Sequence, residues 1–157
     1  MEGQPTAGYS IQTVQFKDVY KDLIPLFEAH WNEVGLKKFC NFDLDIEFYK
    51  QIESQLISLV LKKDNEIIGY LQSAVHRHNH SKGLLCNTVD CFYIKPEFRG
   101  LKTLKWVYEL IRTNEWIAFM RGCKISQLSI PNLQKFYNLA DNAGYEDYTA
   151  TQIKRLG

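Results

Sequence analysis

Three groups of side chains in this sequence have types and spacings that suit chemistry. The first is Asp90, a carboxylate inside the apolar run "TVDCFYI". Two-residue alternation places it on the face of Thr88 and Phe92, opposite Cys91 and Tyr93. Partial burial among such neighbours raises a carboxyl's pKa, toward the range useful for proton transfer. Asp90 reads equally as a residue that pairs with a basic or histidine side chain and orders its strand. The second group is His76, His78 and His80 in "HRHNHSKG". In an extended chain these three imidazoles share one face. They suit a solvated hairpin end, an acid–base group oriented by Asp90, or metal ligands. No further Cys/His cluster at ligand spacing supports a metal, so none is expected. The third group lies in "IKPEFRGLKTLKW", where a strand passes a Pro-Glu turn and Arg99-Gly100 opens a helix. A helix mouth after a strand suits a phosphate, and Lys95, Arg99, Lys102 and Lys105 cluster around it. Arg-Gly there is also simply a tight turn into a helix.

The elements that must hold these groups follow from periodicity and punctuation. "YSIQTVQF" alternates as a first strand, and Asp18 looks like the N-cap of a helix carrying Leu23, Leu26, Phe27 and Trp31 at helical spacing. Pro25 should kink or break that helix. A second helix in "LDIEFYKQIESQ" puts Ile46, Tyr49 and Ile52 on one face. "LISLVLKKDNEIIGYLQSAV" is a hairpin, with Lys63-Asp64-Asn65 as its turn. "LLCNTVDCFYI" is a long apolar strand. The helix from Leu101 presents Leu104, Val107, Leu110, Ile111 and Ile117 to a core and ends at Gly122. "CKISQLSI" is a strand, Pro131-Asn132 opens another helix closed by Gly144, and "YEDYTATQIKR" is a terminal strand or strand pair. The order β-α-α-β-β-β-α-β-α-β implies a mixed sheet with helices packed on it, α/β or α+β, and a parallel crossover around the long helix.

Composition narrows the class. The 157 residues, 24% charged and 45% apolar, suit one soluble domain. Residues 1–8 read as a flexible arm and 9–157 as a single domain. The net charge of +1 favours neither a polyanion nor a membrane surface. Cys40, Cys86, Cys91 and Cys123 form no C-x-x-C pair, which fits a reducing compartment. The first residues lack a basic-then-apolar leader, and no apolar run approaches a membrane span, so a cytoplasmic location is expected. Trp31, Trp106 and Trp116 fall at helical spacing and read as core or interface packing.

The element order, the hairpin "DNEIIGYL", the strand-turn "FYIKPEFRG" and the closing "NAGYEDY" together resemble the GNAT superfamily of acyl-CoA N-acyltransferases. The likeness covers nearly the whole chain in organisation and is motif-specific from Glu66 to Tyr148. More narrowly, it is similar to a subgroup common in bacteriophage genomes. That subgroup has a His-x-His segment (His78, His80), then an Asp four residues before the strand's last aliphatic residue (Asp90, Ile94), then Pro96-Glu97-Phe98-Arg99.

The resemblance implies a mixed, largely antiparallel sheet of six to seven strands with helices on both faces. It also implies acetyl transfer from acetyl-CoA to an amine of a small molecule or protein, by direct attack. Main-chain groups of Phe92, Tyr93 and Ile94 would align the pantetheine and thioester. The turn Arg99, Gly100, Leu101, Lys102, Thr103 and Leu104 would hold the pyrophosphate, and Asn132 would contact the pantetheine arm. Asp90 with His78 or His80 would take the amine proton. The family's acid tyrosine aligns with Ala140; Tyr137, one helical turn earlier, is the nearest candidate and reads also as packing. The family writes the turn with small residues where Lys102 and Leu104 stand here. Lys102 can swing away and add charge, whereas the branched Leu104 would intrude on pantetheine space. With no aromatic platform interleaved among the basic residues, CoA is expected in preference to nucleic acid. A homodimer is compatible with this reading. The competing class is a non-catalytic binding or virion-associated protein of the same fold.

Overall fold

The computed structural model describes residues 8–129 and 140–146. Its regular elements are β1 (Tyr9–Val14), α1 (Phe16–Glu33), α2 (Ile46–Gln51), β2 (Leu56–Lys63), β3 (Glu66–Arg77), β4 (Leu85–Ile94), α3 (Leu101–Met120) and β5 (Ile125–Leu128). The strands form one sheet in the order β1-β2-β3-β4-β5. Neighbours from β1 to β4 are antiparallel, whereas β4 and β5, joined through α3, are parallel. This is the mixed, largely antiparallel sheet expected, with five strands among the described residues rather than six or seven. Most of the expected terminal strand, and the helix opening at Pro131-Asn132 as far as residue 139, lie outside those residues.

Two apolar clusters flank the sheet. Ile57, Leu59, Leu61, Ile68, Leu71 and Val89 pack with Leu110, Ile111 and Ala118 of α3. Leu56, Val60, Tyr70 and Tyr93 pack with Phe16, Leu23, Leu26 and Phe27 of α1, and Ile46, Tyr49 and Ile52 add the apolar face of the α2 segment. Buried residues thus alternate between the two faces along β2, which has strands on both sides. The β2–β3 hairpin turns through Asp64 (φ 49°) and Asn65 (φ 72°). Two successive left-handed residues match the right-handed strand twist, and Asp and Asn tolerate that conformation.

Local signals misplaced several features. Helix α1 begins at Phe16 rather than after Asp18, because its N-terminus is capped from a distance. Glu53 accepts hydrogen bonds from the Phe16 and Lys17 N–H groups, at 2.6 and 3.1 Å. The helix also continues through Pro25; proline forfeits one internal bond, and Leu23, Leu26 and Phe27 anchor both sides of it in the core. In α3, Thr103 is buried in the first turn while Leu104 is 39% exposed, so the core stripe starts at Trp106–Val107 rather than Leu104. Trp116 is 63% exposed and lies on the outer face of α3, not in the core.

Candidate active site

The pairing of β3 with β4 slips once. Gln72 faces Cys91 and the next residue, Ser73, faces Val89, so Asp90 is the extra residue of a β-bulge. The bulge resets the alternation of β4. Val89 and Phe92 pack toward α3, whereas Cys91 and Tyr93 pack toward α1 and α2. The expectation that Asp90 shares a face with Phe92, opposite Cys91 and Tyr93, is therefore corrected. Its charge is felt by Tyr49 of α2 and by Cys91. Burial pushes Tyr49 up to about 12 and the Cys91 thiol up to about 11, with the Asp90 charge adding to each. Both stay protonated at neutral pH, leaving Asp90 the anion of this group. Desolvation raises the Asp90 carboxyl above its usual value, and the His76 charge partly lowers it.

Among the described residues, β5 pairs with Cys86, Asn87, Thr88 and Val89, and the Ser129 N–H donates to Val89 O at 3.0 Å. β4 itself runs on to Ile94. Val89 is thus both a partner of β5 and the neighbour of the bulged carboxylate. A buried amide network fixes this end of the pairing. Asn87 donates to Asn114 Oδ1 of α3 at 2.7 Å and to Ser126 Oγ of β5 at 3.0 Å, and Asn114 donates to Ser73 Oγ of β3 at 2.6 Å.

The histidines separate. β3 ends at Arg77, so only His76 is on the strand, where its Nε2 lies 2.8 Å from Thr88 Oγ1. His78 and His80 follow in the loop. The His78 N–H binds Leu84 O, His78 Nδ1 accepts from the His80 N–H, and the two rings stand 6.0 Å apart. The histidine whose charge reaches Asp90 is His76. The idea of three imidazoles on one extended face is corrected: the chain turns once the strand stops.

Beyond Ile94 the chain makes a single 3-10 turn, Pro96–Phe98, and enters α3 at Gly100. The N–H groups of Gly100, Leu101 and Lys102 have no acceptor among the described residues, as the geometry of a helix start dictates. A Cβ built on Gly100 would meet nothing within 4 Å, so the space beside this turn is open. Leu101 is 89% exposed, and Lys102 and Lys105 are exposed as well. Thr103 is buried and caps the preceding turn through the Phe98 carbonyl, so its side chain serves the loop. Leu104 lies at the open surface of the turn rather than in the core. Arg99 is already engaged: its Nε donates to Ile94 O at 2.7 Å, its Nη2 to Glu33 Oε2 at 2.6 Å, and its guanidinium covers the Tyr93 ring. Lys95 is paired with Glu66. Of the four cations in the expected cluster, two are held by carboxylates. Asn132 and Tyr137 lie outside the described residues.

No family model and no curated protein matches this sequence. Solved structures do. A ribosomal-protein-alanine N-acetyltransferase from Brucella melitensis biovar Abortus 2308 superposes with a TM-score of 0.68 at 18% identity, over 95% of this chain and 99% of that one. An aminoglycoside acetyltransferase from an uncultured soil metagenomic sample, in complex with sisomicin, gives 0.71 at 18%, over 95% and 97%. The aminoglycoside N-acetyltransferase AAC(6')-Iy in complex with CoA gives 0.70 at 14%, over 99% of both chains. The chain has the fold of these N-acetyltransferases. Within it the bulge at Asp90, the end of β4 and the mouth of α3 fall on consecutive segments.

Sequence reasoning did not foresee the contacts of four residues. His76 lies outside the His-x-His motif; its reach to the Thr88 hydroxyl from β3 required the strand register. Glu33 and Glu53 carried no local signal, since the partner of each lies far away in the chain. Tyr49 was visible as part of an apolar face, but its approach to Asp90 depends on how α2 meets the sheet.

Proposed function

We propose that this protein is an N-acyltransferase that moves an acetyl group from acetyl-CoA to an amine. The observation that carries the proposal is the bulged Asp90 on β4, the strand that leads into the open mouth of α3, in a chain with the fold of known acetyltransferases. The open turn at the head of α3 suits the cofactor. The free N–H groups of Gly100, Leu101 and Lys102 would hold the pyrophosphate, the helix dipole favours its charge, and the exposed Lys102, with Lys105 over the Trp106 ring, would approach the other phosphates. The side chain of Arg99 holds the turn in shape. Main-chain groups of Phe92, Tyr93 and Ile94 would orient the pantetheine, and Asn132 is the further residue that the resemblance assigns to its arm.

Bound acetyl-CoA supplies an activated acetyl thioester. The chain's part is to position it and to manage protons. Asp90 takes a proton from the incoming ammonium, freeing the nitrogen lone pair for attack on the carbonyl carbon. As the C–N bond forms and the C–S bond breaks, the nitrogen gives up its second proton and the sulfur takes one up, a transfer for which Tyr137 is the candidate carrier. The His78–His80 loop borders the strand ends where an acceptor would enter. That segment and Pro96-Glu97-Phe98-Arg99 are the basis for placing the chain near the phage-type subgroup, acting in the cytoplasm.

Thermal shift with acetyl-CoA tests the reading directly. Ligand at about 100 times its Kd stabilises the fold by roughly 2.7 kcal/mol, and for this size of chain each kcal/mol corresponds to roughly 2–4 °C in Tm. No shift at millimolar acetyl-CoA would remove the proposal. Asp90→Asn should keep the shift and lose turnover.

A further inference from the structure

We propose that the cleft between α1, the β2–β3 hairpin and the end of β4 binds a small organic anion with an apolar body, apart from the cofactor turn at the head of α3. The cleft has a volume of about 530 Å³, within the range of small-molecule sites. Two departures from regular structure meet at it. Pro25 in α1 has no N–H, so the carbonyl of Lys21, four residues earlier, loses its helical donor; both residues line the cleft. On the sheet side β2 and β3 slip: Leu61 faces Gly69 and Lys62 faces Ile67, leaving Ile68 as the extra residue of a second bulge. As a result Ile67 and Tyr70, three residues apart, both pack toward α1, while Ile68 packs toward α3. The bulge thus turns Ile67 to the face of the cleft, which Lys62 shares by alternation from Leu56 and Val60.

The chemistry of the walls selects the ligand. Leu26, Ala29, Ile67 and Tyr93 give the cleft an apolar lining. Lys95 and Glu66, at its edge, neutralise each other. Among the described residues the side chains of Lys21, Asp22 and Lys62 make no hydrogen bond or ion pair. Two unpaired ammonium groups, brought from α1 and β2, therefore stand against one carboxylate. Lys62 is half-buried, so its charge is screened less than that of a fully exposed lysine. A cationic ligand would meet the positive excess, and a bare inorganic anion would leave the apolar lining uncovered. A carboxylate or phosphate ester on a compact apolar body satisfies both. Gly100, Leu101 and Lys102, proposed to hold the pyrophosphate, do not line this cleft.

The test titrates the full chain with phenylacetate, phenyl phosphate and the neutral 2-phenylethanol, following backbone amides by 15N NMR. Wild type is compared with Lys62→Gln and with Lys21→Gln, which lies on the exposed side of α1. The expected result is saturable shifts centred on Leu26, Ile67 and Tyr93 with at least one of the anions, the tighter of the two naming the head group. Each variant should bind that anion roughly two- to fivefold more weakly, and 2-phenylethanol should bind wild type more weakly than the anion does. The proposal is overturned if neither anion gives saturable shifts at tens of millimolar, if the shifts fall elsewhere, or if both variants bind as wild type does. Repeating the titration in saturating CoA separates this cleft from the cofactor path. Undiminished shifts support a distinct site, whereas displacement by CoA would make the cleft part of the cofactor site and overturn the proposal. The anion titration itself uses no acetyl-CoA, so it decides the cleft even if the acyltransferase reading fails.

Discussion

Arg99 Nη2 lies 2.6 Å from Glu33 Oε2, joining residues 66 positions apart. Through this contact the last residue of α1 is clamped to the turn that opens α3. The same guanidinium donates to the carbonyl of Ile94, the last residue of β4. One side chain thus ties together the two helix ends and the strand that frame the proposed cofactor turn.

Both partners are partly exposed, so the ion pair alone contributes under about 1 kcal/mol and is screened by salt. Glu33→Gln should lower stability by less than about 1 kcal/mol at low salt, and less at 1 M. Arg99→Ala also loses the bond to Ile94 O and the cover over Tyr93, and should cost about 2 kcal/mol. Urea unfolding at two salt concentrations checks both.

His30 binds the Tyr70 hydroxyl at 2.8 Å and stacks on Tyr93. Burial lowers its pKa below 6.5, with the Arg99 charge acting the same way and Glu33 opposing. As pH falls through 6.5 the unfolded chain takes up a proton that the folded ring resists. Stability is therefore lost from about pH 6.5 downward, until the folded ring titrates. His30→Phe should flatten that part of a plot of urea midpoint against pH; an unchanged slope would assign the effect elsewhere.

The Asp90 carboxyl has the opposite linkage. Its folded pKa is raised above 3.8 by desolvation, so the fold prefers the protonated form. Stability is full below the unfolded value and declines as pH rises through the folded one. Asp90→Asn should therefore raise Tm at neutral pH, with the gain closing below about pH 3.8. A mutant less stable than wild type at pH 7 would show that the carboxylate holds the bulge together.

Asn114→Ala removes an amide that accepts from Asn87 and donates to Ser73, all three buried. The orphaned groups should cost about 2–3 kcal/mol, measured by urea unfolding. Hydrogen exchange at Ser126 and Gln127 should accelerate, because the network also reaches Ser126.

Gly69→Ala tests how closely β3 approaches β4. A Cβ there would stand 2.7 Å from the Tyr93 carbonyl oxygen and 2.3 Å from Ile94 Cδ1. Because the nearest fixed atom is backbone, the strand must shift, at about 1–3 kcal/mol. Acetyl-CoA affinity should fall with it, since Tyr93 and Ile94 are the segment proposed to orient the pantetheine.

The sequence by itself determined the elements: the β2–β3 hairpin at Asp64-Asn65, the long helix ending at Gly122 and the parallel unit β4-α3-β5 all follow from periodicity and turn chemistry within a few residues. It also marked the carboxylate at Asp90 and the helix mouth at Gly100. Tertiary structure decided what those groups face. One extra residue in β4 exchanged the sides of Cys91, Phe92 and Tyr93, and alternation has no memory of a bulge that forms only when β3 pairs. Glu53 capped α1, Glu33 took Arg99 and His76 found Thr88, because charges and hydrogen-bond donors act through space on whatever the folded chain brings near. Patterns of period two and 3.6 describe one element at a time; the site is a property of the distances between elements.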